Sequence, residues 1–181
     1  VTVTMVPPAE RAEAPFVHRA PLIAAIQTRL TASDSLATVL VASGMGGVGK
    51  TRAAVEYARE AERALKGSDA PSLRAIAVIH VDGIDEQVVE IGRQLLGSPD
   101  RNVSRDEAIA ALKTVDWLIV IDNVDTQSQL AAFNAFKTAV GSVSGRNQHL
   151  LVTSRLAESV WAPHGVSVLR VDTFSAAEGA D

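Results

Sequence analysis

Gly44, Met45, Gly46, Gly47, Val48, Gly49, Lys50 and Thr51 spell G-x-x-x-x-G-K-[ST], and they stand between an apolar run of strand type and an amphipathic run of helical type. A loop that joins a buried strand to the start of a helix turns several backbone N–H groups and the positive end of the helix dipole toward one point, which suits a polyphosphate. The glycines let the backbone wrap round a phosphate through φ values that a Cβ would obstruct. Lys50 supplies a mobile charge for the β- and γ-phosphates, and the Thr51 hydroxyl is a ligand for Mg²⁺. The plain alternative, a Gly-rich turn that happens to precede Lys-Thr, leaves the flanking strand and helix unexplained. The expected ligand is a nucleoside triphosphate.

Two further strands deliver polar groups. Residues 117–122, Trp-Leu-Ile-Val-Ile-Asp, form an apolar strand ending in a carboxylate, so Asp122 is expected at the carboxyl edge of a sheet, where open α/β folds bind ligands. There it can hold Mg²⁺ directly or through water; otherwise it starts the turn Asp-Asn-Val-Asp or caps the next helix, a role that fits Asp125 better. Residues 149–155 repeat the pattern and end in Arg155. A guanidinium there can distinguish triphosphate from diphosphate, the alternative being a surface Arg paired with Glu158.

The elements that must position these groups follow from composition and periodicity. A chain of 181 residues with 47% hydrophobic content has the material for one sizeable core, built from Ala, Val, Leu and Ile because aromatics make up only 4%. A net charge of −4 offers no electrostatic footprint for nucleic acid. The absence of cysteine removes disulfides, thiolate zinc sites and cysteine nucleophiles. No apolar run reaches the roughly 18 residues of a membrane span, so a cytoplasmic protein is expected. The first residue is Val1, and the stretch from Ser175 to the end reads as a helix that is then cut, so the chain is read as an excised piece.

Residues 1–15, with Pro7, Pro8 and Pro15, are expected to be an extended lead-in or linker without a core face, and residues 16–181 a nucleotide-binding domain cut short at its C-terminus. Leu22, Ile23, Ile26 and Leu30 form a helical stripe. Residues 38–42 read as a buried strand, followed after the loop by a helix with Ala54, Ala58, Ala61 and Leu65 on one face, Glu62 and Lys66 spaced to pair, and Gly67 at its end. Residues 74–81 read as a second buried strand, 84–96 as a helix, and Ser104 with Glu107 as the capping box of another. Residues 117–121, 149–152 and 166–171 supply three more strands. Alternation of strands and helices predicts a three-layer α/β fold with a five-stranded, mainly parallel sheet flanked by helices.

The pattern resembles the NB-ARC domains, the nucleotide-binding modules of STAND signal-transducing ATPases. Their hhGRxxxL, GxGGxGKT, hhhhDD and hhhTTR segments are similar, in order and spacing, to Phe16-Val17-His18-Arg19-Ala20-Pro21-Leu22, the glycine-rich loop, residues 118–123 and residues 150–155. The resemblance implies an ASCE-type P-loop NTPase sheet, with the Arg155 strand inserted between the loop strand and the Asp122 strand, and ATP/ADP exchange as a switch. It also implies that Val17 and Arg19 lie near adenine and ribose, that nucleotide contacts run through the loop to Arg52, and that Arg155 senses the γ-phosphate. Further domains of the same chain (helical, winged-helix and sensor repeats) and other protomers on activation are the implied partners.

Two positions depart from that pattern. His18 stands where the family has Gly, and Asn123 stands at the second acidic position, where a carboxamide cannot accept a proton from attacking water. Hydrolysis is therefore expected to be slow, or to use another base such as Asp125, while binding of Mg²⁺ and nucleotide through Asp122 survives. A steadily turning-over ATPase or kinase is the alternative; GTPases are disfavoured because no Asn-Lys-x-Asp string occurs. His80 and His149, at strand ends, are read as core or edge residues rather than ligands, and Trp117 and Trp161 as packing. Ser43, Ser154 and His164 make no recognisable triad.

Overall fold

The computed structural model describes residues 2–7, 20–32, 36–41, 49–67 and 73–171. Its strands are β1 (Val3–Met5), β2 (Ala37–Val41), β3 (Ala75–His80), β4 (Trp117–Asp122), β5 (Gln148–Ser154) and β6 (Ser167–Arg170). Its helices are α1 (Ala20–Ala32), α2 (Lys50–Lys66), α3 (Ile84–Leu95), α4 (Arg105–Lys113), α5 (Gln127–Val140) and the short α6 (Glu158–Trp161), which runs into a 3-10 turn at Ala162–His164. The strands make one six-stranded sheet in the order β1-β3-β4-β5-β2-β6, with every pairing parallel.

The period of two along each strand divides the core in two. Leu40, Ile76, Leu118, Val120, Leu151 and Leu169 pack with Leu22, Ile26, Leu30, Ala54 and Ala58 of α1 and α2. Their strand neighbours Val39, Ala77, Trp117, Ile119, Ile121, Leu150 and Val152 pack with Val88, Ile91, Leu112, Phe133 and Trp161 on the other side. Each fully buried Leu, Ile or Phe in such a layer contributes about 1.5–3 kcal/mol. Both faces of β4 are buried along its whole length, which is why it reads as a continuous apolar run.

Local signals in the sequence account for the helix ends. Ser104 and Glu107 form the expected capping box at α4, Gly67 closes α2, and Glu62 pairs with Lys66 at 2.8 Å. α3 and α4 approach so closely at Gly92 that a Cβ there would lie 2.5 Å from that of Ala108.

The sheet corrects the expected strand count: it has six strands, not five, and is wholly parallel. The additional strand, β1, comes from the stretch read as a lead-in. It pairs Val3, Thr4 and Met5 with Ala75, Ile76 and Ala77 of β3, and Val3 is 1% exposed. Three residues are too few to display an alternating pattern, and Pro7 and Pro8, one residue further on, read as breakers. The chain beyond β1 is held by Arg59 of α2, whose Nε donates to the Pro7 carbonyl at 3.0 Å. The order of the inner strands is the one the resemblance implies: β5 lies between β2 and β4.

Candidate functional site at the carboxyl edge of the sheet

Register and parity bring the polar groups together. β2, β4 and β5 end at one edge, with Leu40 opposite Thr153, Val41 opposite Ser154, and Ile121 opposite Val152. Asp122 has the parity of Leu118 and Val120, which face α1 and α2, so its carboxylate emerges toward the start of α2. Thr153 shares that parity with Leu151 and meets Asp122 there.

α2 opens at Gly49, whose φ of 86° is in the left-handed region that glycine enters freely. The next two residues turn their side chains onto the strand ends. Lys50, 3% exposed, donates from Nζ to the Ser154 carbonyl at 2.6 Å. The Thr51 hydroxyl donates to Asp122 Oδ1 at 2.7 Å, and the Thr153 hydroxyl donates to the same oxygen. Burial pulls the Lys50 ammonium below the usual lysine range; Asp125 opposes that shift, Arg155 adds to it, and Asp122 opposes it in turn.

The segment after β4 folds back on the end of β5. Asn123 has φ 64°, a conformation Asn tolerates, and its N–H donates to Thr153 Oγ1 at 2.9 Å while its side chain is exposed. Asp125 does not cap α5; that role belongs to Thr126 in a capping box with Gln129. The Asp125 carboxylate instead accepts the Arg155 N–H at 2.8 Å, with its second oxygen 3.9 Å from Arg155 Nε. The Arg155 side chain is 69% exposed, and Glu158, its suggested surface partner, bonds Arg170.

The structure therefore gathers Lys50, Thr51, Asp122, Asn123 and Arg155 round one edge, with Gly49 beside them and Arg52 on the first turn of α2. Val17, His18, Arg19 and residues 44–48 lie outside the described residues, as does the stretch from Ser175 onward. Three groups at the edge went unread in the sequence. Thr153 ties Asp122 to the Asn123 N–H. Ser154 Oγ donates to the Val124 carbonyl and accepts from Leu156 N at 3.0 Å and Trp161 Nε1 at 3.1 Å. Gln129 accepts from Asp125 N at 2.9 Å. The signal available for the first two is parity, since polar residues at the end of an apolar strand point alternately to the two faces.

No protein family matches the chain. No curated protein matches it either. Among solved structures it is similar to a DNA replication initiation factor, at 17% identity and a TM-score of 0.50 over 86% of this chain and 47% of that one. It is also similar to the Aeropyrum pernix ORC2 protein in ADPNP–ADP complexes, at 16% identity and a TM-score of 0.50 over 91% of this chain and 48% of that one. Identity this low carries the fold alone. The fold is the parallel α/β fold of P-loop NTPases.

That P-loop NTPase fold is shared with proteins about twice as long, since the chain spans about half the length of both. Among the described residues no helix is long and apolar enough to cross a membrane. Nor do they contain a group of three or more His, Asp or Glu residues that could hold a metal ion.

Proposed function

We propose that this chain is an ATP- and ADP-binding module whose nucleotide state, rather than rapid turnover, is its output, as in the NB-ARC modules of STAND signalling proteins. The observation that carries the reading is the convergence of the Lys50 ammonium and the Thr51 hydroxyl, from the first turn of α2, on the edge that bears Asp122 and Ser154. A polyphosphate seated on α2 meets the helix dipole, a buried cation and a hydroxyl–carboxylate pair suited to Mg²⁺. Thr51 and Asp122 are the residues that would hold that ion, which supplies charge neutralisation between the phosphates when bound.

Adenine nucleotide is supported by the complexes formed by one similar structure, and by the lack of a guanine-reading Asn-Lys-x-Asp string. Slow hydrolysis is supported by Asn123, a carboxamide directly after the last residue of β4. The replication role of the similar proteins is not carried over, because a net charge of −4 gives no basic footprint for DNA. Helical, winged-helix and sensor domains of a longer chain, and other protomers, are the partners such a switch would act on.

Calorimetry with Mg·ATP tests the site. The wild type is expected to bind and Lys50→Ala to lose binding with its circular dichroism unchanged; equal affinity in both proteins would refute the assignment.

A further inference from the structure

We propose that the cleft between the ends of α3 and α4, at the amino edge of the sheet, is a docking site for a protein partner that presents an amphipathic, acidic segment. This face lies at the opposite end of the strands from Lys50 and Asp122 and does not depend on what that edge binds. The cleft measures about 360 Å³. Its apolar lining comes from Leu95 and Leu96 at the end of α3, Ala111 of α4, and Val115 just before β4. Leu96, at 41%, is the one large hydrophobic residue exposed among the described residues. A lone exposed leucine is ordinary, but one on the lip of an apolar cleft extends the surface offered to a partner.

Charge selects the partner. Arg74, just before β3, is pinned by its backbone: its N–H donates to the Asp116 carbonyl at 2.8 Å, and its carbonyl accepts the Val3 N–H at 2.8 Å. Its side chain borders the cleft, and among the described residues no hydrogen bond or ion pair engages the guanidinium. Arg101, the second arginine there, is neutralised. Its Nη2 donates to Glu107 Oε1 at 2.7 Å, while Glu107 Oε2 accepts the Ser104 N–H at 2.9 Å. The cleft thus keeps one uncompensated positive charge on a chain of net charge −4.

The carbonyls at the end of α4 would favour a cation, but they are answered from within the protein. That of Leu112 accepts Trp117 Nε1 at 3.0 Å and Gln148 Nε2 at 3.1 Å, and that of Val115 accepts Gln148 Nε2 at 2.8 Å. The complement of this face is therefore an apolar side chain with a carboxylate beside it. Its walls at Arg74, Leu96, Ala110 and Thr114 are exposed, so the cleft cannot enclose the roughly 70–90% of surface that a bound small molecule buries. A polypeptide that continues past the cleft covers Leu96 as well.

The test uses two short fluorescein-labelled helical peptides, each with leucines on one face, the other face carrying glutamates in one and lysines in the other. Anisotropy titration measures affinity, and amide chemical shifts of the isotope-labelled protein map the contact. The glutamate peptide is expected to bind saturably, with shifts at Arg74, Leu96, Ala111 and Thr114, and the lysine peptide about fivefold or more weakly. Arg74→Gln should weaken the glutamate peptide by about fivefold and Leu96→Gln by about tenfold, with circular dichroism unchanged. Equal affinity for the two peptides overturns the proposal, as does no binding of either, shifts on another face, or undiminished affinity in both variants. Octanoate binding in the cleft without peptide binding would assign it to a free apolar acid, and a dimer in sedimentation that Leu96→Gln dissociates would assign it to a second copy; either result overturns the proposal.

Discussion

The Lys50 ammonium reaches from the first turn of α2 to the main-chain carbonyl of Ser154 at 2.6 Å, and with 3% of the residue exposed the bond is nearly dry. Burial lowers the Lys50 pKa below its ordinary 10.5, so between the folded and unfolded values the unfolded chain binds more protons. This group alone therefore makes the unliganded protein more stable as pH rises through that window, and the penalty is fully present below the folded value. A triphosphate that pairs with Lys50 favours its charged form. Binding of Mg·ATP is thus expected to take up a proton in that window and to weaken as pH rises through it. Calorimetry in two buffers of different ionisation enthalpy measures the uptake, and its absence would separate Lys50 from the ligand.

Ser154 joins that lysine to a fluorophore. Its carbonyl holds Lys50 while its hydroxyl accepts from Trp161 Nε1 at 3.1 Å, and the Trp161 ring packs edge-on against Phe133 at 5.5 Å. Drawing Lys50 toward a phosphate is expected to shift Trp161 emission. In a Trp117→Phe background, addition of Mg·ATP should change both the intensity and the maximum, and Lys50→Ala should suppress the change. An emission spectrum indifferent to saturating nucleotide would show that the strand end does not respond.

Asn123→Asp puts a second carboxylate directly after Asp122, the last residue of β4. With φ at 64°, the position accepts Asp about as readily as Asn, so the exchange brings no new backbone strain. Turnover is expected to rise by about tenfold or more, at the low edge of what a positioned base supplies. The rate of phosphate release reads it directly, and an unchanged rate would mean that the carboxamide is not what limits hydrolysis.

Gly92→Ala should destabilise the fold without touching the site. The added Cβ would meet the Cβ of Ala108 at 2.5 Å and its Cα at 2.6 Å, an overlap that forces α3 and α4 apart at a cost of about 1–3 kcal/mol. A lowered Tm with unchanged nucleotide affinity is expected, together with partial recovery on adding Ala108→Gly. A Tm equal to wild type would show that the two helices can part freely.

What the sequence disclosed was set by how each feature is encoded. β4 is apolar up to Asp122, and β5 has the apolar stretch Leu150, Leu151 and Val152 before Thr153 and Ser154, so their place in the sheet and the company of Asp122 and Arg155 could be read directly. The capping box at Ser104 was legible because two side chains and two backbone groups at fixed spacing define it. As a cap for α5, Asp125 was only a better candidate than Asp122, and Thr126 takes the place; Asp and Thr are both good caps one residue apart, and only the reach of Asp125 to the Arg155 N–H separates them. The roles of Thr153 and Ser154 depend on which strand lies beside which, a non-local relation that spacing along the chain does not hold.

β1 bears on where the chain can be shortened. It occupies the open margin of β3 through only three residues, helped by the grip of Arg59 on Pro7. Trimming the first seven residues would leave the N–H and C=O groups of β3 as a sticky seam, ready to zip onto any extended segment, including another copy's. Expression boundaries drawn from the glycine-rich loop outward, as its prominence invites, would then yield aggregates whose cause lies on the far rim of the sheet from the candidate site.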